Sequence, residues 1–185
     1  MKNKVIKISI IALIAVAILT AGIILLTQFT GVNGLSKNIQ KSMQSVKTVT
    51  SVVTVTEGET QVYGFDRKIE INGSNALITE AESVLNASFE FARQPETQKT
   101  EKIDRNKLFG LNLKGDYLKD TNLKNNVFTA KITSENLSKV FGSAVTCNGE
   151  ASLSIMVENK QLKSVTLSFI SADGKAVELL VTYTY

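Results

Sequence analysis

The alternation of apolar and polar side chains in the last 36 residues, Glu150 to Tyr185, constrains this chain more than any other feature. In EASLSIMVE, Ala151, Leu153, Ile155 and Val157 alternate with Glu150, Ser152, Ser154 and Glu158. Asn159–Lys160 then turns the chain into QLKSVTLSFI, where Val165, Leu167 and Phe169 alternate with Ser164, Thr166 and Ser168. A second turn, Ala172–Asp173–Gly174–Lys175, leads into AVELLVTYTY, with Val177, Leu179, Val181, Tyr183 and Tyr185 on one parity. Successive side chains of a strand point to opposite faces, so a period of two is the mark of a half-buried strand. Three such strands joined by short turns predict an antiparallel meander with one apolar face.

The same period runs through the first half of the chain. In TVTSVVTVT, Val49, Val53 and Val55 share one face, with Thr48, Thr50, Thr54 and Thr56 on the other. β-Branched residues at this density favour extended backbone. After Glu57–Gly58, Tyr63, Phe65, Ile69 and Ile71 share parity, and Asn72–Gly73 is a tight-turn signal. ALITEAE and VLNASFEFA follow as expected strands, the second alternating Leu85, Ala87, Phe89 and Phe91 with Asn86, Ser88 and Glu90. From Thr97 to Asn126 the periodicity fades: LFGLNL reads as a short strand and GDYLKDTNLKNN as an ordered loop, after which VFTAKI resumes a strand.

Two segments follow the helical period. Leu35, Ile39, Met43 and Val46 form one face of a leading helix, with Lys37, Gln40, Lys41 and Gln44 opposite. Ser134 reads as the N-cap of ENLSKVFG, with Leu137, Val140 and Phe141 inward and Gly142 past the end. The expected class is α+β, mainly antiparallel β. It has one curved sheet of seven to nine strands, a leading helix and one short inserted helix, preceded by a single transmembrane helix.

That transmembrane helix is read from VIKISIIALIAVAILTAGIILL, whose uncharged run Ile8–Leu26 is 19 residues long. Such a run can cross a hydrocarbon core of about 30 Å. Lys2, Lys4 and Lys7 flank its N-terminal side, which places Met1 in the cytoplasm and the C-terminal domain outside. Residues 1–34 are therefore read as cytoplasmic stub, anchor and linker, and residues 35–185 as an extracytoplasmic β-rich domain of the cell membrane. The rival reading is a cleaved signal near Thr20–Ala21–Gly22, which gives a secreted protein.

The formal charge of +4 belongs to the flank, because residues 35–185 hold 18 basic and 17 acidic groups. A nearly neutral domain lacks the basic face that nucleic acid requires, so no nucleic-acid partner is expected. Histidine is absent, which removes the usual general base and the commonest zinc ligand. The one cysteine, Cys147, precludes an intrachain disulfide and reads as a half-buried apolar residue. No nucleotide, nucleophile-elbow or metal motif occurs, so neither catalytic set, cofactor nor metal is expected. The pairs Glu57/Glu59 and Glu80/Glu82 would share a strand face and are read as solvated edge charges; a carboxylate-based hydrolase is the enzymatic reading left to them.

The order of elements resembles the LolA-like family of curved-sheet lipoprotein and lipid carriers. The resemblance rests on LSKNIQKSMQSVKTVTSVVTVT, ITSENLSKVFG and SLSIMVENKQLKSVTLSFISADGKAVELLVTYTY. It covers most of residues 35–185 as a pattern, and a lipobox cysteine is missing because Ile23 stands in its place. It implies a sheet that holds lipid or acyl chains, with Phe89, Phe91, Val165, Leu167 and Phe169 as lining residues. A membrane-tethered, non-enzymatic binding module is the function expected. The alternative is a scaffolding envelope protein, in which those residues fill a closed core and the partner is another envelope protein.

Overall fold

The computed structural model describes residues 39–86, 90–109, 111–142 and 144–185, so the expected anchor lies outside the described residues. Strands β1 (Thr48–Glu57), β2 (Thr60–Asn72) and β3 (Asn75–Leu85) form one antiparallel meander. Strands β6 (Leu118–Lys124), β7 (Val127–Thr133), β8 (Cys147–Glu158), β9 (Gln161–Ser171) and β10 (Ala176–Thr184) form a second. The two meanders join where β10 pairs antiparallel with β1, giving one ten-stranded sheet in the order β4-β3-β2-β1-β10-β9-β8-β7-β6. Strands β4 (Phe91–Arg93) and β5 (Thr97–Lys102) pair with opposite ends of β3.

The alternation in sequence becomes an apolar inner face and a hydroxyl-rich outer one. Across the central join, Val53 faces Phe65 on one side and Leu179 on the other, while Val55 faces Tyr63 and Val177. All six are buried in one contiguous core with Leu153, Ile155, Val165, Leu167 and Phe169. Each such side chain contributes about 1.5–3 kcal/mol on leaving water. The intervening Thr50, Thr54, Ser152, Ser168 and Thr166 lie half-exposed on the outer face.

Two helices and a crossing segment cover the inner face. Helix α1, described over residues 39–43, buries Ile39 and Met43, and Val46 follows them into the core. The Ser42 hydroxyl, buried, donates to the Ile39 carbonyl and accepts the Leu162 N–H, fixing α1 against the start of β9. Between β5 and β6 the chain crosses from one meander to the other and buries Leu108, Phe109, Leu111 and Leu113. Arg105 secures this crossing by donating from Nη1 to the Val46 carbonyl at 2.7 Å and to the Met43 carbonyl at 3.4 Å. Helix α2 (Ser134–Phe141) buries Leu137, Val140 and Phe141, whose ring meets Phe169 edge-on at 6.5 Å.

The structure corrects several expectations. Among the described residues the strand count is ten, because β5 and β6 carry little or no buried side chain and leave no alternation to read. VLNASFEFA is not one strand: Val84 and Leu85 end β3, and β4 begins at Phe91. LFGLNL is not a strand but part of the crossing, and the expected loop GDYLKDTNLKNN contains a 3-10 turn and β6. Thr133, not Ser134, is the N-cap of α2; the Ser134 hydroxyl instead donates to the Cys147 carbonyl. Gly142 takes the left-handed conformation expected past the helix end, at φ 69°.

Candidate functional site

The inner face is not apolar throughout. On β2, the parity that buries Phe65 and Ile69 also carries Arg67 inward, only 4% exposed. Its cross-strand neighbours are Ser51 on β1 and Glu80 on β3. The Arg67 Nε lies 3.1 Å from Glu80 Oε1, yet the N–H is misaligned, so the contact is ionic rather than a directed hydrogen bond. Burial lowers the pKa of the guanidinium from its ordinary value, while Glu80 and then Glu101 pull it back up.

Around this pair, buried polar atoms lack partners among the described residues. They are Arg67 Nη1, Ser51 Oγ and Tyr183 Oη. Ser51 is directly opposite Arg67, and Tyr183 faces Val49, one inward position along β1. Diagonal neighbours of this kind lie about 7–8 Å apart. A buried donor or hydroxyl without a partner costs about 1–3 kcal/mol, so three on adjoining strands stand out against the apolar core around them. Burial raises the Tyr183 pKa well above the ordinary phenol range, with a smaller push from Tyr185. Tyr63, one ladder step beyond Phe65, donates to Glu82 at 3.4 Å; burial and then Glu82 raise its pKa likewise.

Chemically, the group offers an unpaired guanidinium N–H and two hydroxyls that can donate or accept. Glu80 neutralises the guanidinium, so the site is polar without a net charge of its own. Glu80 and Glu82, expected as solvated edge charges, instead lie half-buried on the inner face, because β4 and β5 pair with β3 beyond them. Glu57 and Glu59 are exposed as expected. Among the described residues, no group of three or more His, Cys, Asp or Glu is placed to hold a metal.

Of the five residues singled out as lining an apolar ligand, the four among the described residues do not share one face. Val165, Leu167 and Phe169 line up on β9, exposed by 1%, 0% and 5% respectively within the core. Phe91 pairs with Leu85, which places it on the outer face; its ring packs over Gly64 there and is 43% exposed. Phe89 lies outside the described residues. Sequence reasoning passed over Arg67, Ser51 and Tyr183 as polar site residues. The available signal was parity, since Arg67 falls between Phe65 and Ile69, and Ser51 between Val49 and Val53, on faces otherwise apolar.

No family model matches the chain, and no curated protein matches it either. Among solved structures, a redesigned β-barrel, mFAP1, bound to DFHBI, is similar at 11% identity and a TM-score of 0.22. The match covers 76% of this chain and 97% of that one. At that score the likeness carries no argument about the fold or the ligand.

Proposed function

We propose that the chain is a non-enzymatic extracytoplasmic binding module, tethered by Ile8–Leu26, that holds a lipid or acyl chain against the inner face of its sheet. The observation that carries this reading is that Arg67, Ser51 and Tyr183, at inward positions of three adjoining strands, each bury a polar atom without a partner among the described residues. An amphiphile suits such a place: its ester, amide or hydroxyl oxygens meet the N–H and hydroxyls, and its chain meets Phe65, Ile69 and Val49. The LolA-like resemblance of the sequence motivates the choice of lipid as the ligand class. The runner-up is a scaffolding module with an envelope-protein partner. It is favoured by the burial of the inner face on both sides of the central join, where Val165 and Leu167 are exposed by 1% and 0% and Val49, Phe65 and Ile69 by 0%, 4% and 3%.

A fluorescent fatty-acyl probe, titrated into the full chain in mild detergent, separates the two. Saturable uptake is expected, with affinity falling roughly tenfold or more in Arg67→Met, the effect of losing one hydrogen bond from a charged group. A folded protein that takes up no probe sinks the lipid reading. A discrete crosslinked band in cells then supports the scaffold.

A further inference from the structure

Charge in the domain is sorted along the strand direction. Lys2, Lys4, Lys7 and Lys37 precede Ile39, so residues 39–185 keep 17 of the 21 basic groups against all 17 acids. One ladder row, Lys68–Thr50–Thr182–Ser164–Met156–Val127–Lys124, crosses from β2 to β6 and divides these charges. Lys99 and Lys102 on β5 lie beyond the row, followed by Arg105 and Lys107. Lys160 and Lys163 lie beyond it at the β8–β9 turn, and Lys41 and Lys47 in and after α1. With Lys68 and Lys124 on the row, ten basic groups occupy this end. Its acids are Glu70, Glu101, Asp104 and Glu158, so the end carries a net +6 and the opposite end a net −6.

Several of the acids at this end are already engaged. Glu70 pairs with Lys68, Glu101 with Lys99 and Asp104 with Lys107. Lys41, Lys47, Lys102, Lys124 and Lys160 are exposed, with no ionic partner among the described residues. The basic end is also where the described chain begins. Ser42 accepts the Leu162 N–H at the start of β9, and the Lys47 N–H donates to Thr184 at the end of β10. Twelve residues, 27–38, separate Ile39 from the apolar run that ends at Leu26. Even fully extended they reach only about 40 Å.

We propose that this basic end docks on the anionic phospholipid headgroups of the membrane that the anchor crosses, so that the acidic end points away. The inference rests on the anchor reading of Ile8–Leu26. Attraction to a negative leaflet falls off within about one Debye length, about 10 Å at moderate salt, and a tether of at most about 40 Å keeps the basic end close enough to enter that range. Repulsion of the acidic end acts in the same sense and fixes the orientation.

The test uses the full chain in vesicles of phosphatidylcholine alone, or of phosphatidylcholine and phosphatidylglycerol in equal parts, each with a trace of headgroup-nitroxide lipid. In a Cys147→Ala background, a dye is placed at Asn159→Cys in the basic end or at Glu59→Cys in the acidic end. The dye at 159 is expected to be quenched several-fold more in the anionic vesicles, to recover in high salt, and to stay bright in neutral ones. The dye at 59 is expected to stay bright in both. Combined Lys102→Glu, Lys124→Glu and Lys160→Glu substitutions are expected to reduce quenching at 159 to the neutral-vesicle level. Quenching at 159 that ignores lipid charge, salt and these substitutions, in a chain that floats with both vesicles, overturns the docking alone. A chain that floats with neither overturns the anchor and the docking together.

Discussion

Arg67 occupies a position on β2 whose parity belongs to the core, and its burial is matched by a single carboxylate, Glu80. If the guanidinium serves a ligand rather than the fold, Arg67→Met should leave stability within about 1 kcal/mol of wild type. An apolar side chain of similar length fills the site, and Glu80, with 22% of its side chain exposed, can turn to water. Arg67→Ala, which leaves a cavity as well, should cost about 2–4 kcal/mol in urea denaturation. Tyr183 makes a prediction in pH. In the unfolded chain its hydroxyl ionises near the ordinary value of 10.0, whereas burial holds the folded group neutral beyond that. The folded pKa is the higher one, so this contribution is complete below pH 10 and is lost as pH rises above it. The slope is about 1.4 kcal/mol per pH unit for each such tyrosine. Urea midpoints across the alkaline range should fall less steeply in Tyr183→Phe, with Tyr63 supplying the slope that remains. These polar residues were hard to read from sequence because the expected face was defined by its apolar members. The exceptions within one parity carried the information.

At the level of elements, sequence and structure agree best where one face of a strand is buried. Strands β8, β9 and β10 and the inward residues of α2 lie where the alternation and the helical period place them. Strand β5, TQKTEK, was illegible because every one of its residues is exposed, so burial imposes no pattern on it. The crossing misled in the opposite way. Phe109, Leu111 and Leu113 alternate like a strand, but they lie over the inner face without pairing. Its attachment depends on Arg105, whose cation meets the Met43 carbonyl at the C-terminal end of α1, where such a donor is favoured, and the Val46 carbonyl just beyond it. Arg105→Ala should cost about 1–3 kcal/mol. Amide exchange should accelerate together in residues 103–109 and 40–46, since one side chain ties both segments. Acceleration in only one of them would contradict that coupling.

Taken whole, the described residues bring their first and last strands, β1 and β10, together within the sheet, and the two meanders run outward from that join to the edges. Both edges carry lysines, Lys99 and Lys102 on β5 and Lys119 and Lys124 on β6, which discourages pairing with another sheet. The two proposals thus rest on different places, the buried inner-face positions around Arg67 and the exposed basic end near Ile39. Neither was visible in the overall composition, because the first is a parity exception and the second needs the register to sort charges that sum to zero. The most direct test of the binding reading is native mass spectrometry of the full chain, extracted gently from membranes, beside Arg67→Met prepared in the same way. A lipid-sized adduct on the wild type that is depleted in Arg67→Met is the expected result. A bare wild-type mass, or an adduct equally abundant on both, would contradict it.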